Sequence, residues 1–282
     1  MTSFGICILP TDEIPLPPLI AIATETRGFD MLFFAENSHV PIVHRKNSYH
    51  SPEMLQPFAR MYDSITALAS CAAVTSSLKL GTGVCLLTER DPIITAKSIA
   101  TLDHLSKGRV IFGVAGGWIK EAMENHGTPF KERWRVVRDH TLAIKALWKN
   151  EPAEYRGEYI DFAPADSYPK PYQKGGPPIL IGSNSSKVPS RVADYADGWM
   201  PIHERYEGDP LRDLKNACDE AGRDYATMTT YLFGAPMDLD LIADYDERGC
   251  DGFIFLVPPE KYSNLEKELD HLQQFCEKFK NT

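Results

Sequence analysis

Residues 100–118 have the sequence Ala-Thr-Leu-Asp-His-Leu-Ser-Lys-Gly-Arg-Val-Ile-Phe-Gly-Val-Ala-Gly-Gly-Trp. An amphipathic helix ends here at Lys107-Gly108, and the apolar run 110–115 follows after a single arginine. A short, continuous apolar run next to a helix is typical of a strand that is buried on both faces of a parallel sheet. The stretch therefore predicts the helix-to-strand half of a βαβ unit.

The same alternation extends over the whole chain, 1–282. Strands are predicted at 4–9, 31–35, 78–86, 110–115, 179–181, 198–201, 229–233 and 252–256. Helices are predicted near 19–26, 59–74, 92–107, 130–149, 187–196, 210–221, 239–248 and 265–279. Eight βα units without a compositional break predict an α/β protein with a single (β/α)₈ TIM barrel as one domain. A doubly wound sheet is the alternative, and it would normally need fewer units or a second domain.

Two irregular segments interrupt the pattern and are predicted to be insertions. One follows the second strand (37–57), and the other precedes the fifth strand (151–177) and contains a possible hairpin at 154–162. Because barrel enzymes bind their ligands at the carboxyl ends of the strands, we expect the functional residues in the loops there.

Composition excludes several classes of protein. The chain of 282 residues is 43% hydrophobic and 24% charged, with 30 basic and 39 acidic side chains and a net charge of −9. We expect no membrane segment, no nucleic-acid partner and a cytoplasmic location, since the chain has no long apolar run, signal peptide or basic surface. Its six scattered cysteines form no Cys-x-x-Cys pair, and we expect no metal site. An anionic cofactor must then be bound by backbone amides and a few cations.

The second strand ends in Glu36-Asn37-Ser38-His39, which brings a carboxylate, an amide, a hydroxyl and an imidazole to one loop. His39 is a candidate proton donor or hydrogen-bond donor near neutral pH. The alternative is a solvated loop histidine with no chemical role.

Glycine-rich loops follow the fourth and fifth strands. Gly116-Gly117-Trp118 would let the backbone approach a flat ligand, with the indole stacking or forming a wall; the alternative is a tight turn. Gly182-Ser183-Asn184-Ser185 opens directly into a helix, where free amides and hydroxyls suit a phosphate; the alternative is simple N-capping.

Several barrel chemistries lack their residues. No lysine is predicted at the carboxyl end of a strand for a Schiff base, no His-x-His follows the first strand, and no Gly-x-Ser-x-Gly elbow occurs. The glycine spacing does not match a nicotinamide-dinucleotide fingerprint either.

Several blocks in order resemble the luciferase-like monooxygenase superfamily of bacterial-luciferase type, and most closely its coenzyme F420-dependent oxidoreductase branch. The resemblance covers nearly the whole chain. It is carried by the blocks at 28–30, 80–84 with 90–92, 100–109 with 113–118, 177–182 and 193–199.

The resemblance implies a flavin or deazaflavin across the strand ends. Glu36 matches a position that contacts the ring, whereas Asn37 stands where the family usually has histidine. Either His39 replaces that histidine from a shifted loop, or the proton-transfer role is missing. Gly83-Val84 matches a place where the family often has a cis peptide bond. Gly116 and Gly117 match the edge of the fourth strand. The phosphate-binding turn is matched by Gly182, Ser183 and Asn184, with Ser185 next to them.

The resemblance also implies an activity and its partners. We expect an oxidoreductase that transfers hydride between F420 and a small organic substrate. One alternative is an FMN-dependent monooxygenase served by a separate flavin reductase, and another is a flavin-binding protein without turnover. A homodimer is expected. The segments 38–57, with Arg45, Lys46, Tyr49 and His50, and 151–177 are predicted to form a wall on the substrate side.

Overall fold

The computed structural model describes residues 2–47 and 51–281, except for the side chains of residues 47, 52 and 260. The strands are β1 (Ser3–Ile8), β2 (Met31–Phe34), β3 (Lys79–Thr82), β4 (Cys85–Leu86), β5 (Val110–Ala115), β6 (Ala153–Arg156), β7 (Asp161–Ala165), β8 (Ile179–Ile181), β9 (Gly198–Trp199), β10 (Thr229–Phe233) and β11 (Gly252–Leu256). The helices are α1 (Pro17–Thr26), α2 (Ile42–Asn47), α3 (Pro52–Leu55), α4 (Ser64–Ala72), α5 (Pro92–Leu105), α6 (Lys120–Asn125), α7 (Arg133–Lys149), α8 (Val188–Tyr195), α9 (Pro210–Ala221), α10 (Leu239–Glu247) and α11 (Leu265–Lys280). None of the described helices combines the length and apolar character that crossing a bilayer requires.

The strands close into a parallel barrel of eight positions. The ring runs β1-β2-β3-β5-β8-β9-β10-β11 and returns to β1, and β4 continues the third position beside β5. Every pair in the ring is parallel, so all carboxyl ends lie at one mouth. The predicted α/β barrel is confirmed.

Alternation along the strands separates two apolar layers. On β2, Met31 and Phe33 belong to a small inner cluster, whereas Leu32 and Phe34 belong to the large cluster that packs against the helices. The Phe33 ring meets Phe233 of β10 edge to face, 5.6 Å between centroids, although β2 and β10 are not neighbours in the ring. The inner cluster therefore fills the barrel interior, as side-chain layers do in this fold.

The third strand is not continuous, which corrects the prediction of one strand at 78–86. Gly81 pairs with Ile111 and Cys85 pairs with Val114, so that four steps on one chain face three on the other. This extra residue breaks the ladder as a β-bulge does. The Gly83–Val84 peptide bond within the break is cis, as the resemblance implied.

The segment 37–57 is less irregular than predicted, since it contains α2 and α3. The helix predicted at 59–74 begins only at Ser64, because Asp63 accepts a hydrogen bond from the Thr66 amide and caps that end. The short helix α6 after β5 was not predicted. Two expected wall residues of the first insertion, Tyr49 and His50, lie outside the described residues.

The insertion 151–177 packs on the outer helices, and its role as a wall on the substrate side stays a prediction. Its hairpin, β6 with β7, packs along α7, where the Asp139 carboxylate accepts hydrogen bonds from the Tyr155 hydroxyl and the Tyr159 amide. Gln173 then donates to Asp103 of α5 and to the carbonyl of Val110, at the start of β5. Buried acceptors on the outer helices thus anchor the insertion along α7 and α5.

Close approach of strands near the mouth predicts a sensitive glycine. A Cβ on Gly113 would lie 2.1 Å from the backbone oxygen of Thr82. We expect Gly113→Ala to lower the free energy of unfolding by about 3 kcal/mol, at the upper end of the cost of overpacking. Thermal and denaturant unfolding measure the change.

The matched control is Gly116→Ala. Its Cβ would meet the flexible Arg133 stem at 3.3 Å, and we expect a loss below about 1 kcal/mol. Equal losses in the two variants would contradict the backbone approach described for Gly113.

Candidate active site

The Glu36 side chain, only 6% exposed, is fully hydrogen-bonded within the protein. One carboxylate oxygen accepts from the Leu86 amide (3.0 Å) and Arg90 Nε (2.9 Å), and the other accepts from Arg90 Nη2 (2.7 Å) and the Ser64 hydroxyl (2.6 Å). Asp63 also pairs with Arg90. Burial opposes the charge on the guanidinium, but these carboxylates raise the pKa of Arg90 above its usual range. The pair joins the loops after β2 and β4 and leaves Glu36 no free acceptor.

Asn37 is buried in the same loop and supports its backbone. Its side-chain amide donates to the carbonyls of His39 (2.8 Å) and Phe58 (3.2 Å). Its Oδ1 has no hydrogen-bond partner among the described residues. Asn37 therefore fixes the path of the chain through His39.

Side chains from three loops converge at Ser38. The Ser38 hydroxyl lies 2.6 Å from Glu89 Oε2, 2.8 Å from His39 Nδ1 and 3.1 Å from His126 Nε2. Glu89 ends the 3-10 turn Leu87–Glu89 after β4, and His126 follows α6. We call Ser38, His39, Glu89 and His126 the rim cluster.

The hydrogen bonds of the rim cluster form one consistent chain. Asn125 Nδ2 lies 2.9 Å from His39 Nε2. With that nitrogen as acceptor, His39 carries its proton on Nδ1 and donates it to Ser38, which in turn donates to Glu89. His126 donates to the remaining lone pair of the serine. The amide orientation and the imidazole tautomer are assigned from this network.

Trp118 forms part of a wall at the mouth. Its ring contacts His44 and Phe58 edge to face, at 5.5 and 5.4 Å between centroids, and the residue stays 39% exposed. Gly117 before it has φ +71°, a left-handed conformation that favours glycine, and Gly116 packs against Arg133. The indole therefore packs against α2 and the turn at Phe58, and its contact with a ligand stays a prediction.

The cis peptide bond and the loop after β8 lie against each other. A Cβ on Gly182 would be 2.4 Å from Val84 Cγ1, and a Cβ on Gly83 would be 2.8 Å from the Phe233 ring. A residue larger than glycine at either position would displace its neighbour. Gly83 and Gly182 therefore leave a narrow strip of backbone without side chains at the mouth.

The next two residues of that loop hold β9 in place. The carbonyl of Ser183 accepts from Trp199 Nε1 (2.9 Å), and Asn184 Oδ1 accepts from the Ile202 amide (2.7 Å). These two acceptors are therefore occupied by the protein, and the role of Gly182, Ser183 and Asn184 in phosphate binding stays a prediction.

Three exposed residues, Ser185, Ser186 and Lys187, immediately precede α8. None of their three backbone N–H groups donates to another group in the part of the chain that is described. Free amides ahead of a helix attract anions, and the helix dipole adds to the effect.

Two arginines stand beside these amides. Arg191 Nη1 donates to the Ser185 hydroxyl at 3.4 Å, and its guanidinium lies 4.2 Å from the centre of the Trp134 ring. Arg133 lies 4.0 Å from the centre of the Phe130 ring. Burial, together with the like charge of Arg133, lowers the pKa of Arg191. Within residues 2–47 and 51–281, neither guanidinium has a carboxylate at ion-pair distance. The positive charges of Arg133 and Arg191 are therefore free to attract an anionic ligand.

This donor set fits a phosphate group. It combines three free amides, serine hydroxyls and two guanidiniums that lie over aromatic rings. The aliphatic part of the Arg133 side chain lies beside Gly116, at the edge of the mouth. We call Ser185, Ser186, Lys187, Arg133 and Arg191 the anion site. It supplies the local cations that an acidic chain needs.

Some of these residues can be identified from the sequence, and others cannot. Glu36, Asn37, His39 and the glycine loops were identified because they follow strands. Glu89, His126, Arg133 and Arg191 were missed, since each belongs to a distant element and only the fold brings it to the mouth. Glu89 stands next to the Arg90-Asp91-Pro92 block, which was the nearest available signal.

Comparison with known proteins identifies the family to which this chain belongs. An uncharacterised protein of Mycobacterium tuberculosis, Rv0953c, is 33% identical over 259 residues, which cover 90% of this chain and 92% of that protein.

Two solved structures share the fold along nearly their full length. The monooxygenase RslO1 of Streptomyces bottropensis has a TM-score of 0.72 at 18% identity, covering 96% of this chain and 98% of that one. The coenzyme F420-dependent tetrahydromethanopterin reductase of Methanopyrus kandleri has a TM-score of 0.71 at 20% identity, covering 97% of each chain.

The family model described as luciferase-like monooxygenase matches residues 18–237. With that match over most of its length, and a barrel whose strand ends carry the expected loops, the chain belongs to the luciferase-like monooxygenase family.

Proposed function

We propose that this protein is an oxidoreductase that transfers hydride between coenzyme F420 and a small organic substrate. The observation that carries the proposal is the anion site, which lies beside the same barrel mouth as the rim cluster. The similarity in length and fold to the F420-dependent reductase supports F420 as the cofactor.

The cofactor phosphate would be bound by the amides of residues 185–187 and by Arg191, with Arg133 alongside. The glycine edge formed by Gly83, Val84, Gly116, Gly117 and Gly182 would lie along the ring system, because it presents backbone without large side chains. Bound there, a deazaflavin supplies the hydride chemistry, and the protein supplies position and polarity.

Proton transfer would fall to His39. Its Nδ1 proton is held by Ser38, and the Ser38 hydroxyl is in turn held by the buried Glu89 carboxylate. Both ring nitrogens are hydrogen-bonded within the protein, so Asn125 would have to release Nε2 before that atom takes a proton from a substrate oxygen or, once protonated, donates it. Glu36 would act as a positioning residue for the loops that carry His39 and Glu89, because its carboxylate oxygens already accept four hydrogen bonds from the protein.

An FMN-dependent monooxygenase is the second candidate. The full-length likeness to a monooxygenase favours it, and the same anion site suits the FMN phosphate. Such an enzyme would need a separate flavin reductase. A homodimer and a cytoplasmic location belong to the proposal for either activity. A flavin-binding protein without turnover is the third reading, and the His39 variant below tests it.

Titration of the purified protein with F420 and, separately, with FMN tests the cofactor. We expect F420 to bind below about 100 μM and Arg191→Ala to weaken it by about tenfold or more, since a charged hydrogen bond contributes about 1.5–3 kcal/mol. Fluorescence and absorbance report binding.

Arg138→Ala is the matched control for that titration, because Arg138 pairs with Asp194 on the exposed side of the same helices. It should leave the dissociation constant unchanged. Binding of neither cofactor would refute the proposal, and binding of FMN alone would replace it with the monooxygenase.

Replacing the imidazole tests turnover. We expect His39→Ala to lower kcat by about 100-fold, the lower end of general acid–base catalysis, with an unchanged cofactor dissociation constant. F420 oxidation or reduction is followed by absorbance with a panel of small carbonyl compounds and alcohols. His203→Ala, on the loop after β9, is the control. Unchanged turnover in His39→Ala would remove His39 from the mechanism.

Glu36→Gln separates positioning from ring contact. Loss of the buried charge should lower the free energy of unfolding by about 2–3 kcal/mol, because Arg90 keeps only its outer partner. Asp63→Asn, which loses the 44% exposed partner, should cost less than about 1 kcal/mol. Thermal unfolding compares the two variants. A Glu36→Gln protein of native stability that no longer binds cofactor would show direct ring contact instead.

A further inference from the structure

The rim cluster brings together three potential metal ligands from separate segments. One ligand atom each of His39, Glu89 and His126 lies within 4.8 Å of the other two. All three are hydrogen-bonded to the single Ser38 hydroxyl, at 2.6–3.1 Å. They therefore already point at a common centre, and small side-chain movements would bring them to coordination distance.

Glu89 is a buried carboxylate without a lysine or arginine at ion-pair distance among the described residues. Its side chain is 2% exposed, and Oε1 has no hydrogen-bond partner among the described residues. The nearest group that can carry a positive charge is His126, whose Nε2 lies 3.9 Å from Oε2. Burying a carboxylate costs free energy unless it is paired or coordinates a metal. A cation at the centre of the cluster would supply a positive charge that pairs with the Glu89 carboxylate.

We propose that His39, Glu89 and His126 form a binding site for one divalent transition-metal ion, of which Zn²⁺ is the representative. Two imidazole nitrogens and one carboxylate oxygen are a donor set that such ions take, with a fourth position left for water. Ions that prefer oxygen ligands alone, such as Mg²⁺, should not bind.

The surroundings suit such a site. His126, with 35% of its side chain exposed, gives the ion a path from solvent. Asn125, 2.9 Å from His39 Nε2, can turn its amide so that the oxygen accepts the Nε2 proton, which frees Nδ1 as a ligand. Ser38 would then turn away from the centre.

The ion and the proton chain exclude each other. Both use His39 Nδ1 and the same oxygen of Glu89, so a bound ion would prevent proton donation through Ser38. The metal site is inferred from the positions of its three ligands. Its test therefore does not depend on the proposed F420 activity.

Isothermal titration of Zn²⁺ into tag-free, chelator-treated protein tests the site directly. We expect one ion per chain with a dissociation constant below about 10 μM, and at least a tenfold weaker constant in His126→Ala and in Glu89→Gln. Co²⁺ provides a second readout, because its visible absorption reports nitrogen and oxygen coordination. Mg²⁺ should give no heat.

His44→Ala is the matched control. His44 also pairs with a glutamate on the same rim, 3.0 Å from Glu121, but lies outside the cluster, so this variant should bind Zn²⁺ as the parent does. Unfolding midpoints without metal establish that each variant is folded. The proposal is overturned by absence of binding at 100 μM Zn²⁺ (about tenfold above the expected constant), or by equal affinity in His126→Ala, Glu89→Gln and the parent.

Discussion

The buried ion pair between Glu36 and Arg90 sets the geometry of the barrel mouth. It joins the ends of β2 and β4, and the Ser64 hydroxyl adds the start of α4. Ser38 follows Glu36 by two residues, and Glu89 precedes Arg90 by one. Clamping the pair therefore fixes the register in which Ser38 meets Glu89, and with it the position of His39. Removal of one partner would leave the other charge buried and release both loops.

Arg133 and Arg191 differ from Arg90, because no carboxylate of the described structure neutralises them. The chain carries a net charge of −9, yet it directs Arg133 and Arg191 towards one loop without carboxylate partners in the described structure. Aromatic rings hold both guanidiniums, and the helix start supplies free amides. An acidic protein can thus bind an anion strongly at one place, because the interaction depends on nearby donors rather than on the overall charge.

The sequence predicts the barrel well because each βα unit is encoded locally, by an apolar run and a helix, with a glycine after helices such as α5 and α9. It fails where distant contacts decide. Gly83, in the strand break, packs close to Phe233 of a distant strand, and the placement of 151–177 depends on buried acceptors such as Asp139. The site divides in the same way. His39 follows a strand and was found, whereas Glu89 and His126 reach it only through the fold.

We propose that the loop before α8, with its two arginines, recognises phosphate. The most direct measurement compares dissociation constants of phosphate-bearing cofactors with their dephosphorylated cores: FMN with riboflavin, and F420 with its deazaflavin core. We predict that the phosphate form of the true cofactor binds at least about 100-fold more tightly, since several charged hydrogen bonds contribute. Equal affinity for the phosphorylated and dephosphorylated forms would contradict the account.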